Sequence, residues 1–276
     1  MTIELFGHTL SLPLLAAPIT GMETNLGGGL SEDEYADAVI NGCLDSGIIG
    51  MVGDGASPEK YRVGLHAIKK SGGLGIPVFK PRSDNQEIIK RFDAAQEAGA
   101  IAVGVDIDAA SFKTMTMKKQ TVGPKSLKEL KLLKSHLSVP FILKGVMNVE
   151  TALLAVEVGA DAIVVSNHGG RVLDFMPGTA DVLPEIAAAV GGRIKILVDG
   201  GIREGVDILK MLALGADVVM IGRPICIAAF GAGREGVRFF IEEKRKELKQ
   251  AMILTGSADV KKLEPSVIVR KPKGAS

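Results

Sequence analysis

The chain has 276 residues, 46% hydrophobic and only 4% aromatic, with 33 basic and 32 acidic side chains and a formal net charge of +1. So even a balance offers no basic face for nucleic acid, and the absence of Trp leaves little to stack on bases. Its two cysteines, Cys43 and Cys226, stand far apart in sequence, which excludes a disulfide framework or a zinc knuckle and marks them as small core residues of a reducing compartment.

The opening stretch, MTIELFGHTLSLPLLAAP, lacks the basic start of a secretory signal. No apolar run approaches the ~20 residues that a membrane helix needs. A soluble, cytoplasmic protein is expected. Short apolar runs then recur along the chain: PLLAAP (13–18), IIGMVG (48–53), IPVFK (76–80), IAVGVDI (101–107), VPFILK (139–144), AIVVS (162–166), IKILVD (194–199) and VVMIG (218–222). Each is apolar at successive positions and rich in β-branched residues, the pattern of strands covered on both faces of a parallel sheet.

Amphipathic helical stretches separate them. SEDEYADAVINGCLDSG opens with Ser31 and, three residues on, Glu34, a capping box. DNQEIIKRFDAAQEAG and NVETALLAVEVG follow the third and fifth runs. EAGAIAVGV, EVGADAIVV and ALGADVVMI repeat one junction: a helix end, a capping Gly, Ala, then a strand. Eight such units over residues 13–222 satisfy the closure condition of an α/β, (β/α)8 TIM barrel, predicted as a single domain over 1–276 with a flexible tail from about residue 265. The competing doubly wound sheet has fewer strands and a glycine-rich first turn, and no GxGxxG follows any strand here. Residues 109–126, AASFKTMTMKKQTVGPKS, show no apolar period and are read as a lid or binding loop after the fourth strand.

In such barrels, reactive side chains gather where the strands end, because the interior is packed solid. The third, fourth, fifth and seventh strands end on Lys80, Asp106, Lys144 and Asp199. A buried strand ending on a lone Lys is costly without a partner or ligand, so the two lysines point to a site or, more plainly, to ion pairs with Asp106 or Asp199. VDGGIREG (198–205) and IGRP (221–224) each set glycines and an arginine between a strand and a helix start. Backbone N–H groups there, backed by Arg203 and Arg223, form an anion cradle in the usual phosphate position. The sixth strand runs straight into Ser166-Asn167-His168-Gly169-Gly170-Arg171. An imidazole beside a guanidinium suits proton abstraction from a carboxylate-bearing substrate, with Asp106 across the mouth to orient the ring. His8, His66 and His136 are read as structural or exposed.

SNHGGRVLD, with DGGIREGVDILKMLALGADVVMIGRP and LTGSADVKKL downstream, resembles the FMN-dependent α-hydroxy acid oxidase and dehydrogenase family in a shortened form. The likeness is strongest over 139–263 and weaker back to LPLLAAP. It implies FMN as cofactor, a small carboxylate as substrate and a homo-oligomeric habit, beside the composition, which points to no membrane or nucleic-acid partner. His168 would be the base, Arg171 the carboxylate clamp and Asp106 the acidic partner of His168. Lys144 would stand near the pyrimidine edge of the flavin, with Lys80 adding charge there and Ser166 touching the ring. Asp199, Gly200, Gly201 and Arg203 would hold ribityl and phosphate, with Gly222 and Arg223 completing the cradle. Pro18, Ile19, Thr20 and Gly21 would lie by the reactive N5 edge.

The chain departs from that pattern on the substrate side. Where the family has a Gln and, two residues on, a Tyr, this sequence has Phe79-Lys80-Pro81-Arg82. Gly104 stands for a Thr, Gly53-Asp54 for a serine pair, and the loop after the fourth strand offers Lys113, Lys118 and Lys119 in place of an Arg. Arg82 or a loop lysine is therefore a candidate carboxylate ligand. Two other readings stand beside oxidation of a 2-hydroxy acid. ITGM near residue 20 is similar to a run in type 2 isopentenyl diphosphate isomerase, whose flavin chemistry has no net redox change, although that enzyme lacks the NHGGR pattern. The third is a flavin-binding protein without catalysis. The electron acceptor is left open.

Overall fold

The eight apolar runs all become strands, and they pair in parallel until the sheet closes on itself. A computed structural model describes residues 1–269. A hairpin of β1 (Ile3–Leu5) and β2 (His8–Leu10) precedes the barrel. The barrel strands are β3 (Leu14–Ile19), β4 (Ile49–Gly53), β5 (Ile76–Phe79), β6 (Val103–Asp106), β7 (Phe141–Val146), β8 (Ala162–Val165), β9 (Lys195–Val198) and β10 (Val218–Ile221). They neighbour one another in chain order, with β10 pairing back onto β3, so no edge remains. Around them run α1 (Met22–Leu26), α2 (Glu32–Asp45), α3 (Pro58–Lys70), α4 (Asn85–Glu97) and α5 (Lys113–Met117), then α6 (Leu127–Ser135), α7 (Val149–Val158), α8 (Thr179–Val190), α9 (Gly205–Ala213) and α10 (Arg223–Leu254).

Local chemistry sets these boundaries. Ser31 and Glu34 form the expected capping box on α2. Gly99, Gly159 and Gly215, at the repeated helix-to-strand junctions, all have positive φ. α10 is broken at Ala232 and Gly233, whose backbone leaves the helical region, so its first nine residues form a separate segment at the mouth. Cys43 and Cys226 are buried and free. Pro265–Val267 make a short 3-10 turn, and the rest of the expected tail, 270–276, lies outside the described residues.

Two features differ from the sequence expectation. The β1–β2 hairpin turns through Phe6 and Gly7, both with positive φ, as a two-residue turn requires. Its buried Leu5 and Leu10 join the main core. The segment after β6 is more ordered than a loop without apolar period. Ala109, Phe112 and Met115 recur every third residue across a 3-10 turn (Ile107–Ser111) and α5, and they form a small core of their own with Ala56, Val122 and Val172. That spacing is helical but spans only seven residues, with polar residues between.

Candidate active site

Two departures from regular strand geometry shape the mouth. The β3–β4 register shifts between Ala16 and Ile19, and the β7–β8 register shifts between Lys144 and Val146. Such bulges re-aim side chains at the rim of a barrel. Pro18 and Ile19 emerge from the first, Lys144 and Gly145 from the second.

A cleft with two lobes crosses this rim. The smaller lobe, about 280 Å³, is walled by Lys144 and Asp199, by Gly200, Gly201 and Arg203 after β9, and by Gly222 and Arg223 after β10. The larger, about 740 Å³, is walled by Thr20, Gly53, Lys80, Asp106, Phe112 and Lys118 among others. Pro18, Ile19, His168 and Arg171 belong to both. The imidazole and the guanidinium therefore stand at the junction.

His168 reaches that place by an unusual backbone path. His168, Gly169 and Gly170 have φ of 56, 65 and 75°, three successive left-handed residues. The glycines accept this freely, and His168 does so at a cost of about 1 kcal/mol or more. Its backbone N–H donates to Ser166 Oγ at 3.1 Å, which helps fix the turn. Ser166, expected against the flavin ring, is thus fully buried beneath the turn and lines neither lobe.

The imidazole is not paired with Asp106 as expected. His168 Nδ1 lies 3.0 Å from Asp108 Oδ2 and 3.2 Å from Oδ1. Asp106 is taken by two ammonium groups: Lys80 Nζ at 2.7 Å from Oδ2 and Lys144 Nζ at 3.1 Å from Oδ1. The β6–β7 register sets Asp106 directly beside Lys144, which is why this pairing wins. Lys144 also lies 3.9 Å from Asp199. The lysines are therefore ion-paired and still line the cleft. Burial by itself would raise the Asp106 carboxyl, but Lys144, Lys80 and His168 outweigh it and hold it well below the usual carboxylate range. Burial opposes the Lys144 charge, yet Asp106, Asp199 and Asp108 keep that ammonium well above its ordinary value.

Arg82, a candidate carboxylate ligand, lines neither lobe. Its guanidinium lies 3.3 Å from both oxygens of the fully buried Asp54, donates to Gly55 O at 2.6 Å and to Gln120 Oε1 at 2.5 Å, and its side chain is 5% exposed. Arg91 Nε lies 3.7 Å from Asp54 Oδ2, an oxygen that Arg82 also approaches. Of the loop lysines, Lys118 lines the larger lobe while Lys113 and Lys119 do not. Thr20 and Gly21 are pinned by Glu32, which accepts from the Thr20 hydroxyl at 2.9 Å and from the Gly21 N–H at 2.7 Å. His66 and His136 are exposed, and His8 pairs in the hairpin and lines neither lobe.

The residues fit a phosphate-bearing cofactor. Arg171, Arg203 and Arg223 all line the smaller lobe, and none of the three guanidinium groups has an ion-pair or hydrogen-bond partner among the described residues. Burial, followed by the like charge of Arg223, lowers Arg171 from its ordinary value, and the opposite pull of Asp106 does not offset them. Arg223 opens α10, whose N-terminus carries no side-chain cap and faces the same lobe, and Gly201 adds no side chain to fill it.

Comparison with known proteins agrees with this geometry. A family model described as FMN-dependent dehydrogenase matches residues 110–270. A peroxisomal (S)-2-hydroxyacid oxidase of Arabidopsis thaliana is 32% identical over 290 residues, covering 93% of this chain and 77% of the relative. A 2-hydroxyacid oxidase of Dictyostelium discoideum is 35% identical, covering 96% and 74%. A solved mandelate oxidase variant carrying an FMN adduct superposes with a TM-score of 0.76 at 33% identity, covering 94% of this chain and 80% of its own. No helix among the described residues is long and apolar enough to cross a membrane. With its eight-stranded barrel and its unneutralised arginine cluster, the chain is an enzyme that uses FMN, and it belongs to the FMN-dependent dehydrogenase family.

Proposed function

We propose that this single barrel unit oxidises a small 2-hydroxy acid. The observation that carries the reading is the placement of His168 and Arg171 at the junction of the two lobes, one with a free Nε2 and the other with an unpaired guanidinium. The names of the relatives, which act on 2-hydroxy acids, support the same substrate class.

Arg203, Arg223, Gly201 and Gly222 would hold the cofactor's phosphate, and Lys144, Lys80 and the Pro18–Thr20 segment would flank its ring. FMN, when bound, would supply the acceptor for the hydride, the α-hydrogen with its two electrons, that leaves the substrate's α-carbon. Arg171 binds the substrate carboxylate as a charge-assisted clamp and fixes which hydroxyl faces His168. His168 Nε2 takes the hydroxyl proton, and Asp108 stabilises the imidazolium that results. Phe112 closes the wall beside both groups and limits water at the point of proton transfer.

The test is an absorption spectrum of the purified protein, followed by anaerobic addition of lactate, glycolate and mandelate. A bound flavin that bleaches with one of these acids, and that no longer bleaches in His168→Ala while remaining bound, is the expected result. A flavin that stays oxidised with every 2-hydroxy acid rejects the substrate class.

A further inference from the structure

We propose that Asp108 is the positioning residue of His168, and that Lys80 keeps the neighbouring Asp106 out of that role. The inference rests on the reading of His168 as proton acceptor. It deepens that reading by naming which of two nearby carboxylates serves the imidazole.

Asp106 Oδ2 accepts a hydrogen bond from Lys80 Nζ, and Oδ1 is ion-paired with Lys144 Nζ at 3.1 Å without a hydrogen bond. Both oxygens of Asp108 lie within hydrogen-bond reach of a single atom, His168 Nδ1. The difference follows from strand geometry. Asp106 is the last residue of β6 and stays in the ladder beside Lys144. Asp108 sits one step into the 3-10 turn, where the chain has left the sheet.

The backbone of β7 makes room for it. Gly145 has φ of 101°, and a Cβ built there would fall 2.5 Å from Asp108 Cβ and 2.4 Å from its Cγ. Only glycine leaves the Asp108 side chain its present position. The gap coincides with the register shift of β7, so bulge, glycine and carboxylate form one device.

An ionised carboxylate is acceptor only, so Nδ1 must carry the hydrogen. Nε2 is then the lone-pair nitrogen, and it has no partner among the described residues although His168 lines both lobes. Ligand atoms of Asp106, Asp108 and His168 all lie within 4.8 Å of one another. Asp106 is thus near enough to compete for the ring once Lys80 is removed.

The test uses the full chain with isotope-labelled histidine nitrogens, His168 being assigned by its loss in His168→Ala. Long-range proton–nitrogen spectra at alkaline pH report the tautomer of each neutral imidazole. Native His168 is expected in a single Nδ1–H form. Asp108→Ala is expected to lose that form and to lower kcat about 100-fold or more with KM changed by less than about threefold. Asp108→Glu restores the Nδ1–H signal in part. In a Lys80→Gln background, Asp108→Ala keeps a larger share of the Nδ1–H form than it does in the native background. A native-like His168 tautomer in folded Asp108→Ala would overturn the proposal. Failure of every 2-hydroxy acid to react, with the tautomer lost in Asp108→Ala, would instead sink the substrate reading and leave this one standing.

Discussion

The rings of Phe112 and His168 lie 5.2 Å apart, tilted by 38°. Lys80 Nζ and the Arg171 guanidinium sit 4.7 and 5.1 Å from the same phenyl centroid. One aromatic side chain therefore backs three of the polar groups at the mouth. Phe112→Ala should destabilise the protein by about 3 kcal/mol, the low end for such a truncation because its core is a small satellite. It should also raise KM about tenfold by loosening Arg171, while flavin remains bound. Thermal melts, flavin fluorescence and steady-state kinetics separate the three effects.

Arg203→Ala and Arg223→Ala should each weaken FMN binding by about 10- to 100-fold, the loss expected for one charge-assisted contact to phosphate. Riboflavin, which has no phosphate, should bind both variants as it binds the native chain. Fluorescence titration of apoprotein with the two flavins checks this, and equal losses for both would argue against the cradle.

Arg171→Lys keeps the charge and loses the planar fork. Its expected signature is a KM for the hydroxy acid raised about 10- to 100-fold with flavin affinity changed far less, since Arg203 and Arg223 remain to hold the phosphate. A change confined to flavin affinity would move Arg171 from substrate clamp to cofactor ligand.

Asp106→Asn leaves two buried ammonium groups facing a neutral amide, and a loss of about 3–5 kcal/mol is expected. The effect depends on pH with a definite sign. The Asp106 carboxyl is held below its unfolded value, so its contribution is fully present above an ordinary carboxyl value of about 3.9 and is lost as pH falls toward the lower folded value. Urea denaturation of native and variant protein should therefore show a constant gap from about pH 5 to 7 that narrows on acidification below about pH 4.

Much of this was legible in one dimension. The apolar runs mark all eight barrel strands because a strand covered on both faces has no polar positions to interrupt it. The arginines after β9 and β10 stand out because glycines surround them. Asp108 was missed because Asp106 and Asp108 look alike in sequence. Only the β6–β7 register and the space above Gly145 tell them apart. Phe112 was hidden for a different reason. Its three-residue period spans only Ala109 to Met115, too short to register against the polar residues between. Arg82 looked like a free cation until its buried partner, Asp54, came from another loop 28 positions away.

That Arg82–Asp54 contact carries a consequence for substitution. A tyrosine at position 82 would leave the buried Asp54 carboxylate with Arg91 and the backbone N–H groups of Gly55 and Lys80, and would release the tie to Gln120. Exchange at position 82 alone is therefore expected to weaken the protein, and to be better tolerated where Asp54 changes as well. Positions 54 and 82 are thus energetically coupled, and this rim resists exchange at one without exchange at the other.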